Sequence, residues 1–174
     1  MNDNLEKNEK RRILIYLIVS FVIVSLLVSF FIFYNKVFIM EYNDNGVIFN
    51  YPSNFKVRKK DNVISVISKD SVAKIGIEVK KNSSSYLSSQ YSDISNDVFS
   101  KIVDSNFSIL SNDCSDHMCS ALYESSKDKL RIVVEFREDT LVTYDYRVSK
   151  SKFNNYSDAF DTVLNSFTIE LDEN

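Results

Sequence analysis

The sequence predicts an α+β domain, an antiparallel sheet carrying helices on its faces, preceded by one transmembrane helix. Three observations predict it. An uncharged apolar run fills residues 13–34. After it, apolar and polar residues alternate in short stretches, the two-residue period of half-buried strands. Twice, far apart, the spacing changes to the three-and-four rhythm of an amphipathic helix.

The run "ILIYLIVSFVIVSLLVSFFIFY" belongs to 23 residues, Ile13 to Asn35, between Arg12 and Lys36. At about 1.5 Å per residue it extends roughly 35 Å, enough to cross a hydrocarbon core of about 30 Å with some tilt. It is longer than a signal-peptide core, and small residues for cleavage are missing at its exit, the first glycine being Gly46 and the first alanine Ala73. No cysteine follows it to take a lipid. The expectation is an uncleaved signal anchor. Lys7, Lys10, Arg11 and Arg12 precede it and only Lys36 closely follows, so the short tail stays cytoplasmic and the rest lies outside. The division expected is a cytoplasmic tail over 1–12, the anchor over 13–35, a linker over 36–43, an extracytoplasmic domain over 44–171 and a tail over 172–174.

In that domain the turn signal Asn43 to Gly46 opens a series of short strands, punctuated by Pro52, Ser53 and Asn54 and by Asp61 and Asn62. Val57, Val63, Ser65 and Ile67 read as one side of the early strands. "AKIGIEVKK" alternates with Ile75, Ile77 and Val79 on one face and Lys74, Gly76, Glu78 and Lys80 on the other. Leu87, Tyr91, Ile94, Val98 and Ile102 then mark one face of a helix, capped by Asn82 and the serines after it and ended at Asp104 to Asn106. "FSILSND" and "SALYESS" return to β character around a cysteine turn. "KLRIVVEFRED" and "LVTYDYRVSK" form a hairpin at Glu138 to Thr140. Phe153, Tyr156, Phe160, Val163 and Phe167 give a second helix, and "FTIE" a short last strand.

Both cysteines and the single histidine of the chain lie in "SNDCSDHMCSALYE". Cys114 and Cys119 bracket four residues between two β segments, so outside the membrane they are expected to form a disulfide closing a small loop, worth about 2 kcal/mol. Asp113, Asp116 and His117 with the two thiolates are the weaker alternative, a zinc site. Structural zinc usually draws on two separated ligand pairs, and here every donor falls within seven residues. A redox pair would more usually be Cys-x-x-Cys beside a helix.

Beyond Met40 the chain has 16 basic and 21 acidic residues, the wrong balance for a nucleic-acid binder. One histidine on a turn tip gives no catalytic triad a cleft, and two glycines build no phosphate loop. No enzymatic chemistry and no cofactor are expected. Tyr144 and Tyr146 read as core, alternating with Thr143 and Asp145 at the surface. Lys56, Arg58, Lys59 and Lys60 form a basic strand that suits a membrane surface or simply a solvated edge. Sequons stand at Asn82, Asn106 and Asn155, and the richness in Asn, Lys, Ile and Ser suggests a prokaryotic host.

Three phrases in order carry a family resemblance: "GVIFNYPSNFKV", "LVTYDYRVS" running into an aromatic helix, and the close "DTVLNSFTIE". Together, over residues 44–171, they resemble the PsbP/Mog1-like domains. Phe55 stands where the usual Tyr-Pro-x-x-Trp has tryptophan, and no metal ligand of the photosystem proteins carries over. The resemblance implies an α/β/α sandwich about a central antiparallel sheet, and relatives that are mostly adaptors or assembly factors. The expected function is a membrane-anchored extracytoplasmic protein-interaction module, an accessory or assembly factor for another membrane or envelope protein. An extracytoplasmic carrier of a small ligand or metal ion is the alternative, and a surface-retained hydrolase comes third. An exposed apolar patch would favour docking; a closed pocket with converging polar groups would favour a ligand.

Overall fold

The computed structural model describes residues 15–27, 29 and 37–170. The chain divides into two units, Met1–Val37 and Phe38–Asn174. In the first, residues 15–27 and 29 are helical with exposed side chains. Among the described residues no helix is long and apolar enough to cross a membrane. The remaining positions of the expected 13–35 anchor, and the tails over 1–12 and 172–174, lie outside the described residues.

The second unit begins with two strands, β1 (Ile39–Asp44) and β2 (Val47–Pro52), paired antiparallel. Their turn is Asn45-Gly46, both with positive φ, the chemistry of a two-residue hairpin turn. Gly46 also has no room for a side chain, since a Cβ there would meet the backbone oxygen of Glu170 at 2.5 Å. Residues 39–43, expected as linker, are therefore edge strand. The expected domain starts about six residues late, because an edge strand with exposed residues lacks clean alternation.

A meander follows: β3 (Phe55–Lys60), β4 (Val63–Ser68) and β5 (Ala73–Lys81). Next come a 3₁₀ turn at Ser88–Gln90 and helix α1 (Tyr91–Ile102). Four strands run on as β6 (Ser108–Ser115), β7 (Met118–Glu124), β8 (Asp128–Arg137) and β9 (Thr140–Ser149). A second 3₁₀ turn at Lys150–Lys152 leads into α2 (Phe153–Ser166), and β10 (Thr168–Ile169) closes the described chain.

There are two sheets rather than one. β3 to β9 form a seven-stranded antiparallel sheet in the order β3-β4-β5-β9-β8-β7-β6, and β1, β2 and β10 form a separate three-stranded sheet. One face of the large sheet packs Ile75, Ile77, Val142, Tyr144 and Tyr146 against Phe160 and Val163 of α2 and Phe49 of the small sheet. The other face packs Leu130, Ile132, Val134 and Phe136 against Phe99, Val98 and Ile94 of α1. Helix, sheet, and helix with a small sheet make three layers, each filling the apolar face of the next. Tyr144 fastens the α2 side: its hydroxyl donates to Glu135 at 3.0 Å, and the Arg137 fork binds Glu135 and the Phe167 carbonyl.

Local expectations fail in identifiable ways. Helix α1 starts at Tyr91, not near Asn82, and its Gln90 N-cap makes no side-chain hydrogen bond. Asn82 and Tyr86 are instead held along the β8–β9 turn by backbone bonds to Asp139 and Glu138, leaving Leu87 exposed outside the helix. On β4 the inward residues are Ile64, Val66 and Ser68, so Val63, Ser65 and Ile67 face away from the α2 core. Thr143 is buried, because that part of the sheet lies inside and not at the surface.

Candidate functional site

The seven-stranded sheet has two open edges, and they differ in chemistry. β6 pairs only with β7, and all eight of its residues are exposed. Its segment holds serines, an asparagine and an aspartate around Ile109 and Leu110. The register shifts between Ile109 and Ser111, a bulge at Leu110. Ile109 and Leu110 are 54% and 52% exposed, two large apolar side chains on a strand whose outer backbone groups have no neighbouring strand. An edge of this kind is a template for a further strand.

The far end of that edge is fixed. Cys114 and Cys119 are cross-strand partners joined by a disulfide, with Cα atoms 4.0 Å apart. Cys119 is fully buried in the core under α1, so the bond ties the exposed edge strand to an interior position. The strands run past the cysteines and turn at Asp116-His117, with Asp116 at φ 47°. The His117 carbonyl accepts the Phe136 N–H at 2.7 Å, and its ring Nε2 stands 4.0 Å from Glu135 Oε1. Asp113 pairs with Ser120 on the exposed hairpin. Among the described residues no group of three His, Cys, Asp or Glu side chains is arranged to hold a metal ion.

The opposite edge, β3, is basic. Lys56, Arg58 and Lys60 lie on the face that α1 leaves uncovered, alternating with inward Phe55 and Val57. Lys59 does not share their face; it bonds Asp44 of β1. Among the described residues Lys56, Arg58, Lys60, Lys69 and Lys74 carry no ion pair, whereas Lys59, Lys80 and Lys81 each have one. A small hollow of about 110 Å³ opens there, lined by Lys56, Arg58, Lys69, Ile67, Ser68 and Ser71.

Between α1 and the middle of the sheet runs an open cleft of about 470 Å³. Lys74 of β5, Asp145 and Arg147 of β9, Asp128 of β8 and Asp104 beyond α1 supply its polar groups; Val72, Ile102, Leu130 and Val148 supply apolar walls. Arg147 is engaged, bonding Asp104 at 2.9 Å and lying over the Phe107 ring. Burial pushes the Asp145 pKa above the ordinary carboxylate value, against the opposing pull of Lys74 and Arg147. The cleft has the volume of a small-ligand site but stands open to solvent. No local pattern in the sequence marks it, because its residues come from three strands and a helix end. Its one available sign was Asp145 set between two buried tyrosines.

No family model matches the chain, and no curated protein does. Its fold is similar to solved structures. The solution structure of cyanobacterial PsbP from Synechocystis sp. PCC 6803 aligns with a TM-score of 0.60 at 15% identity, over 76% of this chain and 92% of that one. A crystal structure from Bacteroides thetaiotaomicron aligns with a TM-score of 0.49 at 12% identity, over 77% of this chain and 49% of that one. Residues 38–170 therefore have the PsbP-like fold that the aromatic-Tyr-Pro phrase and the closing helix suggested.

Proposed function

We propose that the chain is a membrane-anchored extracytoplasmic protein-interaction module, an accessory or assembly factor that docks on another membrane or envelope protein. The observation that carries this is the β6 edge, where Ile109 and Leu110 stand exposed on a strand with one side unpaired. A partner segment laid along β6 gains main-chain hydrogen bonds from the edge and apolar contact from the two side chains. The disulfide holds the strand in place beforehand, which lowers the ordering cost of binding. The apolar run over 13–35 supports an anchor, and the basic residues ahead of it support a cytoplasmic N-terminus. An anchored domain meets its partner at high local concentration, so a modest interface suffices. Enzymatic chemistry forms no part of this reading.

The test is crosslinking in cells with the full-length protein, followed by purification from membranes and identification of the captured proteins. A stoichiometric partner lost in Ile109→Lys and Leu110→Lys variants supports docking at β6. The same partner retained by both variants moves the interface elsewhere, and no partner beyond that of an unrelated domain on the same anchor overturns the reading.

The volume of the cleft at Asp145 favours a second reading, a carrier of a small ligand with a cationic or hydrogen-bond-donating group. A screen by thermal shift tests it, with hits required to disappear in Asp145→Ala.

A further inference from the structure

The corner of the domain where the chain comes in from its N-terminal segment combines two chemistries. The Phe38 N–H donates to Ser53 Oγ at 3.0 Å, and the Phe38 carbonyl accepts from the Ser53 N–H at 2.7 Å. The adjacent Asn54 carbonyl accepts from the Lys69 N–H at 2.9 Å, and Phe55 pairs with Ser68. These bonds set Phe38, Ile39 and Met40 beside the start of β3 and the end of β4. Ile39 and Met40 are 58% and 47% exposed. At the same end of the large sheet opens the hollow lined by Lys56, Arg58 and Lys69, with Ser71. Asp70, next to Lys69, is turned to the Ser68 and Tyr156 hydroxyls, and the Ser68 oxygen in turn accepts from the Ala73 N–H; Glu41 follows Met40 on β1.

We propose that this corner rests on the surface of an anionic bilayer, with a lipid phosphate between Lys56, Arg58 and Lys69 and with Ile39 and Met40 in the headgroup layer. Exposed apolar residues with basic ones at the same end of a domain are the composition of an interfacial membrane contact. The stretch beyond Met40 as a whole would oppose such a surface, since its acidic residues outnumber its basic ones by 21 to 16. The cations free of ion pairs on this uncovered face are therefore the ones that select the orientation. A bilayer is favoured over an acidic protein because the basic hollow sits at the end where the chain joins the apolar 13–35 run. The inference rests on the anchor reading and adds which part of the folded domain meets lipid: the β3 corner, with the β6 edge, at the other side of the sheet, left accessible.

The test uses the full-length protein in vesicles of phosphatidylcholine, alone or with phosphatidylglycerol, labelled at Met40→Cys with an environment-sensitive fluorophore and read by a lipid-borne quencher. Cys114 and Cys119 stay oxidised, so the label takes one site. Alkaline extraction first checks the anchor: release of the chain from the vesicles sinks the anchor reading by itself. The domain inference is then judged on charge-dependent quenching, whether the chain is embedded or merely bound. It expects strong quenching only with phosphatidylglycerol, relieved at about 1 M salt, where screening is nearly complete beyond about 3 Å. It expects loss of quenching in a Lys56→Gln/Arg58→Gln/Lys69→Gln variant whose thermal unfolding is unchanged, and full quenching retained in Lys56→Arg/Lys69→Arg. Quenching independent of lipid charge, or untouched in the triple Gln variant, overturns it. So does quenching that needs an added acidic protein, which would assign the corner to a protein partner.

Discussion

Gly76 lies opposite Asp145 across the β5–β9 ladder, and the Asp145 carboxylate fills the space beside its Cα: a Cβ on Gly76 would meet Asp145 Oδ1 at 2.1 Å. Gly76→Ala therefore forces that carboxylate to move within a half-buried site. The expected cost is about 1–2 kcal/mol, in the range of overpacking substitutions. Urea unfolding checks it, with Asp145→Ala as partner in a double-mutant cycle. The two substitutions together should cost clearly less than their sum, and simple additivity would mean the two residues do not compete for space.

Asp145 also predicts a pH dependence. Its native pKa is raised by burial, so the folded state holds the proton more tightly than the unfolded chain does. Its contribution to stability is fully present below the unfolded value and is lost as pH rises through the higher native one. The amide of an Asp145→Asn variant has no proton to lose. That variant should gain on the parent as pH rises from about 3 to about 7, measured by denaturant midpoints along that series. A difference that stays flat with pH would count against a raised native pKa.

The disulfide is expected to contribute about 2 kcal/mol, as a short closed loop does. Cys114→Ser is the variant to measure, because it leaves the buried Cys119 as a small apolar side chain. Its thermal midpoint should fall by about 6 °C, taking about 3 °C per kcal/mol for a domain of this size. Reductant should lower the parent similarly and leave the variant unmoved. If reductant moves both alike, the bond is not the cause.

Ser95 is fully buried in α1, and among the described residues its hydroxyl is the one buried side-chain polar atom without a partner. Ser95→Ala removes an unsatisfied group and improves helix propensity. Stability should rise by about 0.5–1 kcal/mol, read from chemical denaturation; a loss would show that the hydroxyl has a partner after all.

What the sequence disclosed follows the range of its signals. β5 and α2 were readable because every second residue, or every third and fourth, meets one core. The cysteine hairpin was readable because its partners are five residues apart. Leu87 kept the helical spacing yet lies outside α1, since the bonds of Asn82 and Tyr86 to the β8–β9 turn take the chain past the point where periodicity would start it. The second sheet depends on Thr168 pairing with Ile48, a contact that no local pattern announces. The basic corner was half visible: alternation along β3 separates Lys59 from its neighbours, but Lys69 joins Lys56 only through folding.

The strand order puts β9, last of the large sheet to be synthesised, at its centre between β5 and β8. While the chain emerges, β3, β4 and β5 can form a meander, but it ends in a bare edge for as long as it takes to make everything up to Ser149. The later strands cannot shelter it sooner, since β6, β7 and β8 reach it only through β9. Maturation is thus a single late insertion, and a truncation between Arg137 and Thr140 leaves two half-sheets with open inner edges, a substrate for chaperones and proteases. Quality control of this domain is in effect a test of whether β9 has arrived.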